Sequence, residues 1–250
     1  MDKAENIVYE TALQYVECEV LGKKINIPYM INYSNRYCSP LTKGKAPIDE
    51  IIQEFETKIK QDKQQIALLS PNQIKQMMQS YGIGIDCSGF AYHILNSLVR
   101  QKTKKDLNRF LIRFPGMIGV VDKAMFKNKR YQKISAAVLT SDLNTIKINN
   151  TSDIRVGDLI RMTHQGYEGK HPLVVVKVTP TSILYAHSSE YVETNGVHFG
   201  KILIHNVGRN LYQQEWSEKT TAGKNYGKDA FRVDLGDSVR RLKCLGAIVV

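Results

Sequence analysis

A change in hydrophobic periodicity divides this chain of 250 residues and limits the folds open to it. Up to about residue 100, apolar residues recur every three or four positions, as on the buried face of an α-helix. From Thr145 onward they alternate with polar residues, as in strands that bury one face. We therefore expect an α+β domain in which helices come first and an antiparallel sheet follows.

Three helices are predicted before residue 100. The first begins at Pro47, the second has Ser70 as its N-cap and ends near Gly82, and the third begins at Cys87. The stretch from Ile7 to Leu21 is mixed, and the segment 25–29 alternates like a short strand or extended arm. The apolar faces of the three helices are formed, in order, by Ile51, Ile52, Phe55 and Ile59; by Ile74, Met77 and Met78; and by Phe90, Ala91, Ile94, Leu95, Leu98 and Val99.

The start of the third helix carries the clearest chemical signal. Asp86 suits the N-cap, because its carboxylate accepts hydrogen bonds from amides of the first turn. Cys87 would then feel the positive end of the helix dipole, which favours the nucleophilic thiolate. Gly89 is costly inside a helix, so it indicates close approach by another backbone or a substrate. The alternative is an inert cysteine that packs the helix start.

Strands are predicted throughout the rest of the chain. A hairpin formed by residues 171–178 and 182–188 is the most informative, since His171 opens it and His187 closes it. The two histidines share a face only if the connection has an odd number of residues, as 179–181 would provide. The other predicted strands are 145–148, 155–161 after a turn, 201–205, 230–233 and the apolar end 245–250.

Composition and cysteine usage exclude several classes of protein. With 42% hydrophobic residues, the chain can bury one sizeable core, and it contains neither an apolar run of membrane length nor a signal-peptide pattern. Its location is left open between the cytoplasm and release by another route. The four cysteines form no CxxC pair, so we expect free thiols, although a bridge between Cys18 and Cys38 remains an alternative.

The net charge of +11 is concentrated in one region. The segment from Gln101 to Lys133 contains ten basic and two acidic residues, which gives it a charge of +8. Such a patch, which includes the Lys102–Lys133 region, attracts anionic polymers such as an acidic wall polymer. Nucleic acid is disfavoured as a partner because no known binding motif accompanies the charge. We interpret the interleaved aromatic residues as core anchors of two short helices.

The order of these features resembles the NlpC-type papain-like cysteine peptidases. The resemblance is carried by the Asp86-Cys87-Ser88-Gly89-Phe90 helix start, the Val156-Gly157-Asp158-Leu159 turn before a strand, and the two hairpin histidines. It implies a cysteine-bearing helix packed on an antiparallel sheet and hydrolysis of amide bonds in peptidoglycan stem peptides. The whole chain would be a single papain-like catalytic domain, with an N-terminal arm and helices at 1–82, the cysteine helix at 83–100, a basic insertion at 101–150 and the sheet at 151–250.

The resemblance assigns the following roles to individual residues. Cys87 would be the nucleophile, His171 the general base and His187 the residue that orients the imidazole of His171. The backbone N–H of Cys87 would be one oxyanion donor. Substrate contacts would come from Asp86, Ser88, Tyr81 and Tyr29. No cofactor is implied.

Other functions remain open at this point. A binding module of the same fold would dock on an anionic polymer without catalysis, and a cysteine acyltransferase or deamidase would use the same thiolate chemistry. A metal site from His171, His187 and Glu190 lacks supporting local spacing. His93 is excluded as a partner of Cys87 because it lies about 120° away around the helix. His164, His198 and His205 are interpreted as ordinary loop or strand residues.

Overall fold

The computed structural model describes residues 3–31, 38–62, 68–114, 130–163 and 170–246. It confirms a mixed α+β architecture. The described ranges contain seven α-helices: α1 Lys3–Val16, α2 Ile48–Gln61, α3 Pro71–Ser80, α4 Cys87–Thr103, α5 Ala136–Leu139, α6 Tyr226–Ala230 and α7 Lys243–Gly246. Among these residues, none of the helices is long and apolar enough to cross a membrane.

The strands form a small ribbon and one larger, curled antiparallel sheet. The ribbon pairs β1 (Cys18–Val20) with β2 (Lys23–Ile25). The sheet has the order β3-β9-β4-β5-β6-β7-β8. Its strands are β3 Thr145–Ile148, β4 Leu159–Thr163, β5 Lys170–Thr179, β6 Ser182–Ser189, β7 Gly196–Leu203, β8 Glu215–Trp216 and β9 Ser238–Leu242.

Local sequence signals place the helices before residue 104. Ser70 caps α3 through a reciprocal capping box with Gln73, and Asp86 caps α4. All six residues of the apolar stripe predicted for α4 are buried. The first part of the mixed N-terminal stretch lies in a helix, α1, whose buried face carries Val8, Ala12 and Tyr15 at helical spacing, and its last part forms β1.

Two hydrophobic cores lie on the two faces of the sheet. The larger core joins α1, α2, α3 and α4 to one face of β5, through Val174 and Val176. The smaller core lies on the other face, where Leu173 and Val175 meet Trp216 and Tyr226. The sheet is therefore buried on both faces near β5, which explains why this strand is almost continuously apolar.

The C-terminal part differs from the prediction. Residues 226–230 form α6, capped by the side chain of Asn225, so the predicted strand at 230–233 is wrong. Within the described ranges the last strand is β9, and it is followed by α7 where a strand was predicted from residue 245. Residues 247–250 lie outside these ranges. All four cysteines are free, so the alternative of a bridge between Cys18 and Cys38 is also wrong.

Only part of the basic segment lies in the described ranges. Leu107–Arg109 and Arg130–Lys133 each form a short 3₁₀ turn. Phe110 and Tyr131 pack against the larger core, as expected of anchors, but Phe114 is 42% exposed. Two further positions interpreted as anchors, 125 and 126, lie outside the described residues.

Candidate functional site

Cys87 is the first residue of α4, as the sequence predicts. The Asp86 carboxylate accepts a hydrogen bond from the amide of Gly89 at 2.6 Å, which closes the N-cap. A Cβ on Gly89 would lie 2.9 Å from the carbonyl oxygen of Gly44 and from Cα of Lys45. The glycine is therefore required by a neighbouring backbone, one of the two explanations that the sequence offered.

The thiol of Cys87 is buried. Only 8% of the residue is exposed, and burial together with the charge of Asp86 raises the pKa of the thiol to about 12. The ammonium of Lys45 and the amides of the first turn act in the opposite direction but do not outweigh burial. The helix dipole was expected to favour a thiolate, but in the state described Cys87 is a neutral thiol.

Lys45 is a component of the site that sequence reasoning missed. Its ammonium lies 2.8 Å from the Asp86 carboxylate, donates to the carbonyl of Ile134 at 3.0 Å and also bonds the hydroxyl of Ser88. The side chains of Lys45 and Asp86 are 12% and 6% exposed. A buried ion pair therefore holds the N-terminus of α4 beside Cys87.

His171 and His187 form a hydrogen-bonded pair. Nε2 of His171 lies 2.8 Å from Nδ1 of His187, and both side chains are buried. This bond confirms that the two histidines share a face, but the predicted reason is wrong. Thr179 pairs with Ser182, which leaves a loop of two residues, and a β-bulge at Val176 supplies the extra residue that aligns the histidines.

The body of α4 and the histidine pair lie on opposite faces of the sheet. Along β5, the side chains of His171 and Leu173 point to one face of the sheet and that of Val174 points to the other. The body of α4 packs on the face of Val174. The first turn of α4 nevertheless approaches the histidine side. Burial and the charge of Glu218 raise the pKa of Tyr226, and a thiolate at Cys87 would raise it further, so Cys87 lies near this side chain. The ring of Tyr226 lies 5.4 Å from that of His187.

A second contact ties the cysteine segment to β6. The hydroxyl of Ser188, next to His187, donates to the carbonyl of Ile85 at 2.7 Å. Ile85 precedes Cys87 by two residues. The start of α4 is thus anchored at the strand position adjacent to the histidine pair.

The polar cluster continues beyond His187 to residues that the sequence did not single out. Nε2 of His187 lies 3.2 Å from the Glu218 carboxylate, and Nε2 of His198 lies 2.5 Å from it. The hydroxyl of Tyr185 also donates to Glu218. His198 lies on β7, as its interpretation as a strand residue allows, and it is buried. Thirty-one positions separate His187 from Glu218, and no local pattern marks the pair.

His187, His198 and Glu218 also present possible metal ligands within 4.8 Å of one another, a set that differs from the one weighed from sequence. A tetrahedral ion with bonds of about 2.0–2.1 Å would hold its ligand atoms about 3.3 Å apart. The 2.5 Å separation between His198 and Glu218 is instead that of a charge-assisted hydrogen bond. The geometry therefore favours a hydrogen-bonded cluster over a metal centre.

The four residues expected to contact substrate have structural partners. Asp86 and Ser88 are buried and bond Lys45. Tyr29 forms a bridge with Ile85, and the hydroxyl of Tyr81 donates to Asp62 at 2.6 Å. Their contact with substrate stays a prediction.

The remaining histidines lie away from the pair. His93 points to the carbonyl of Lys45, at 2.8 Å, and burial lowers its pKa to about 4. His205 is exposed and pairs with Glu215 at 2.8 Å. The third position, 164, lies outside the described residues.

Comparisons of the chain with protein-family models, with curated proteins and with solved structures find no significant match.

Proposed function

We propose that this protein is a cysteine-dependent amide hydrolase with an NlpC-like fold. The observation that carries the proposal is the buried 2.8 Å hydrogen bond between His171 and His187. Such a bond orients an imidazole for proton transfer, as the third member of a catalytic triad does. The cysteine helix begins beside this pair, through the contacts of Ser188 and Tyr226.

In this proposal, His171 acts as the general base for a neutral thiol. As the sulfur of Cys87 attacks a substrate carbonyl, His171 takes the thiol proton, and the S–C bond forms. The proton then passes to the leaving amine as the C–N bond breaks, which leaves an acyl-enzyme. Water hydrolyses the thioester and regenerates the thiol. The backbone N–H of Cys87 stabilises the oxyanion.

Peptides of the bacterial cell wall are the substrate class that we favour. The support is the order of the cysteine, the turn before β4 and the two histidines, together with the +8 charge of residues 101–133, which suits a polyanionic wall. Two alternatives use the same residues differently. A cysteine acyltransferase or deamidase would transfer or hydrolyse another acyl group, and a binding module would dock on an anionic polymer without turnover.

Mapping of alkylation by mass spectrometry tests the proposal. Burial raises the pKa of all four cysteines, Cys18 and Cys244 to about 11 and Cys38 and Cys87 to about 12. Without a base, Cys87 would therefore react with iodoacetamide no faster than the others at pH 7. We expect it to react fastest, and His171→Ala to abolish that advantage.

Turnover of stem peptides provides the second arm of the test. Cys87→Ala should abolish hydrolysis, while Cys244→Ala, which removes another partly buried free thiol, should retain it. Equal alkylation of all four cysteines in the unsubstituted protein would refute the hydrolase and favour the binding module.

A further inference from the structure

A chain of four side chains, three buried imidazoles and one partly buried carboxylate, extends from the candidate base. It runs from His171 to His187 at 2.8 Å, from His187 to Glu218 at 3.2 Å, and from Glu218 to His198 at 2.5 Å. Only the first two residues have a role in the proposed reaction. The hydrogen bonds constrain the protons on all of them, because a ring nitrogen that faces an acceptor must carry a proton.

The protonation of His198 is determined by its two neighbours. Its Nδ1 lies 2.8 Å from the carbonyl of Gly196, and its Nε2 faces the Glu218 carboxylate. Both partners are acceptors, so both ring nitrogens are donors and the ring is a cation. His198 therefore compensates the negative charge of Glu218. Because the Glu218–His198 pair is neutral overall, it does not require a positive charge on His187.

The same reasoning fixes the tautomers of the other two histidines. Nε2 of His187 faces Glu218 and carries a proton, so in the neutral ring Nδ1 is the acceptor. Nε2 of His171 lies opposite that acceptor and must therefore be the donor. In neutral His171, the lone pair is then on Nδ1, the nitrogen that does not face His187.

We propose that Glu218 is a positioning residue that fixes His187 as the Nε2–H tautomer and His171 as a base that accepts protons at Nδ1. This inference rests on the proposed function for the use of that base, but the tautomers themselves follow from the hydrogen bonds. His198 is the second histidine that donates a hydrogen bond to Glu218.

Neighbouring residues also hold the Glu218 carboxylate in place. The Tyr185 hydroxyl donates to the same carboxylate, and a Cβ on Gly200 would collide with both Tyr185 and Glu218. A glycine is thus needed where β7 passes the cluster. Contacts with the two histidines hold the pKa of Glu218 below its usual range despite its burial, and burial lowers the pKa of His187.

Nitrogen-15 NMR of the full chain labelled at histidine tests the tautomers directly. In the unsubstituted protein at pH 7, we expect His171 and His187 to show protonated Nε2 and unprotonated Nδ1, and His198 to show both nitrogens protonated. Protonated Nδ1 in His187 or in neutral His171 would overturn the proposal. Loss or change of the His187 and His198 signals on removal of metal with EDTA would also overturn it, in favour of a metal site.

Glu218→Gln tests the role of the carboxylate. The amide can donate to Nε2 of His187, which moves the proton of His187 to Nδ1 and that of His171 from Nε2 to Nδ1. We expect this reversal in the NMR spectrum and a fall in the alkylation rate of Cys87 of about 10- to 100-fold. That fall is smaller than the roughly 10⁴-fold loss that follows when the direct partner of a catalytic histidine is changed.

Glu215→Gln is the matched control. It makes the same chemical change in an exposed Glu–His pair, with His205, three residues away along the chain. We expect this control to leave the tautomers and the alkylation rate unchanged. If Glu218→Gln also leaves both tautomers unchanged, the positioning role is refuted. If the tautomers reverse but His171→Ala has no effect on Cys87, the proposed function fails while the tautomer assignment stands.

Discussion

Replacement of Lys45 by methionine should be among the most disruptive single changes outside the apolar core. The change leaves the Asp86 carboxylate, 6% exposed, without its cation at 2.8 Å. At an effective dielectric constant of about 20, the lost attraction is about 6 kcal/mol before desolvation is subtracted. Removal of one partner of a buried ion pair costs about 3–5 kcal/mol, and we expect a loss in this range.

A double-mutant cycle in urea separates the charge effect from the loss of packing. Asp86→Asn retains an N-cap acceptor without the charge, so Lys45→Met combined with Asp86→Asn should be more stable than Lys45→Met alone. Lys24→Met is the matched control, because Lys24 and Glu17 lie 2.9 Å apart but are 71% and 50% exposed. The control should cost less than about 1 kcal/mol.

The same variants report on the thiol. Lys45 lowers and Asp86 raises the pKa of Cys87, so Lys45→Met should slow alkylation of Cys87 and the double variant should restore part of the rate. The buried pair would be refuted if Lys45→Met lowered the free energy of unfolding by less than about 1 kcal/mol. It would also be refuted if the losses of stability caused by Lys45→Met and Asp86→Asn were additive in the double variant.

Three further predictions concern the hairpin, acid stability and the basic segment. Deletion of Val176 removes the bulge, so the histidine pair should separate and the alkylation advantage of the candidate nucleophile should disappear, as mass spectrometry would show. As the pH falls from 6.5 to 4, the free energy of unfolding should fall by up to about 3 kcal/mol, because His93 takes up a proton in the unfolded chain but, with its pKa of about 4, not in the folded one. Urea titrations should show a flatter pH dependence for His93→Gln than for the unsubstituted protein. Replacement of Lys127, Lys129 and Arg130 by glutamate should reduce the amount of protein that sediments with peptidoglycan and make this binding less sensitive to salt. Hydrolysis of a small soluble peptide should be retained.

The features predicted correctly from sequence depend on short-range signals. The start of α4 follows from an N-cap residue and an apolar stripe within one segment, and so does the start of α3 after Ser70. The same local reasoning failed at residues 230–233, where alternation suggested a strand. The side chain of Asn225 caps a helix just before that point, and the packing of Tyr226 in the smaller core outweighs the local preference.

The site itself is only half visible in the sequence. Cys87, His171 and His187 stand out because they occur at the ends of regular elements. Lys45 and Glu218 do not, since the first lies in a turn before α2 and the second follows a two-residue strand. Their partners are 41 and 31 positions away, so only the folded chain brings these charges together.

Lys45 and His198 share a physical task, because each balances the charge of a carboxylate close to the proposed reacting groups. Lys45 balances Asp86 beside the thiol of Cys87, and His198 balances Glu218 behind the histidine pair. Burial opposes ionisation of both Cys87 and His187, as the direction of each pKa shift shows. A thiolate at Cys87 is thus disfavoured before substrate binds. In the proposed mechanism, proton transfer from Cys87 to His171 therefore accompanies attack on the carbonyl, where the developing oxyanion and the first-turn amides compensate the new charge.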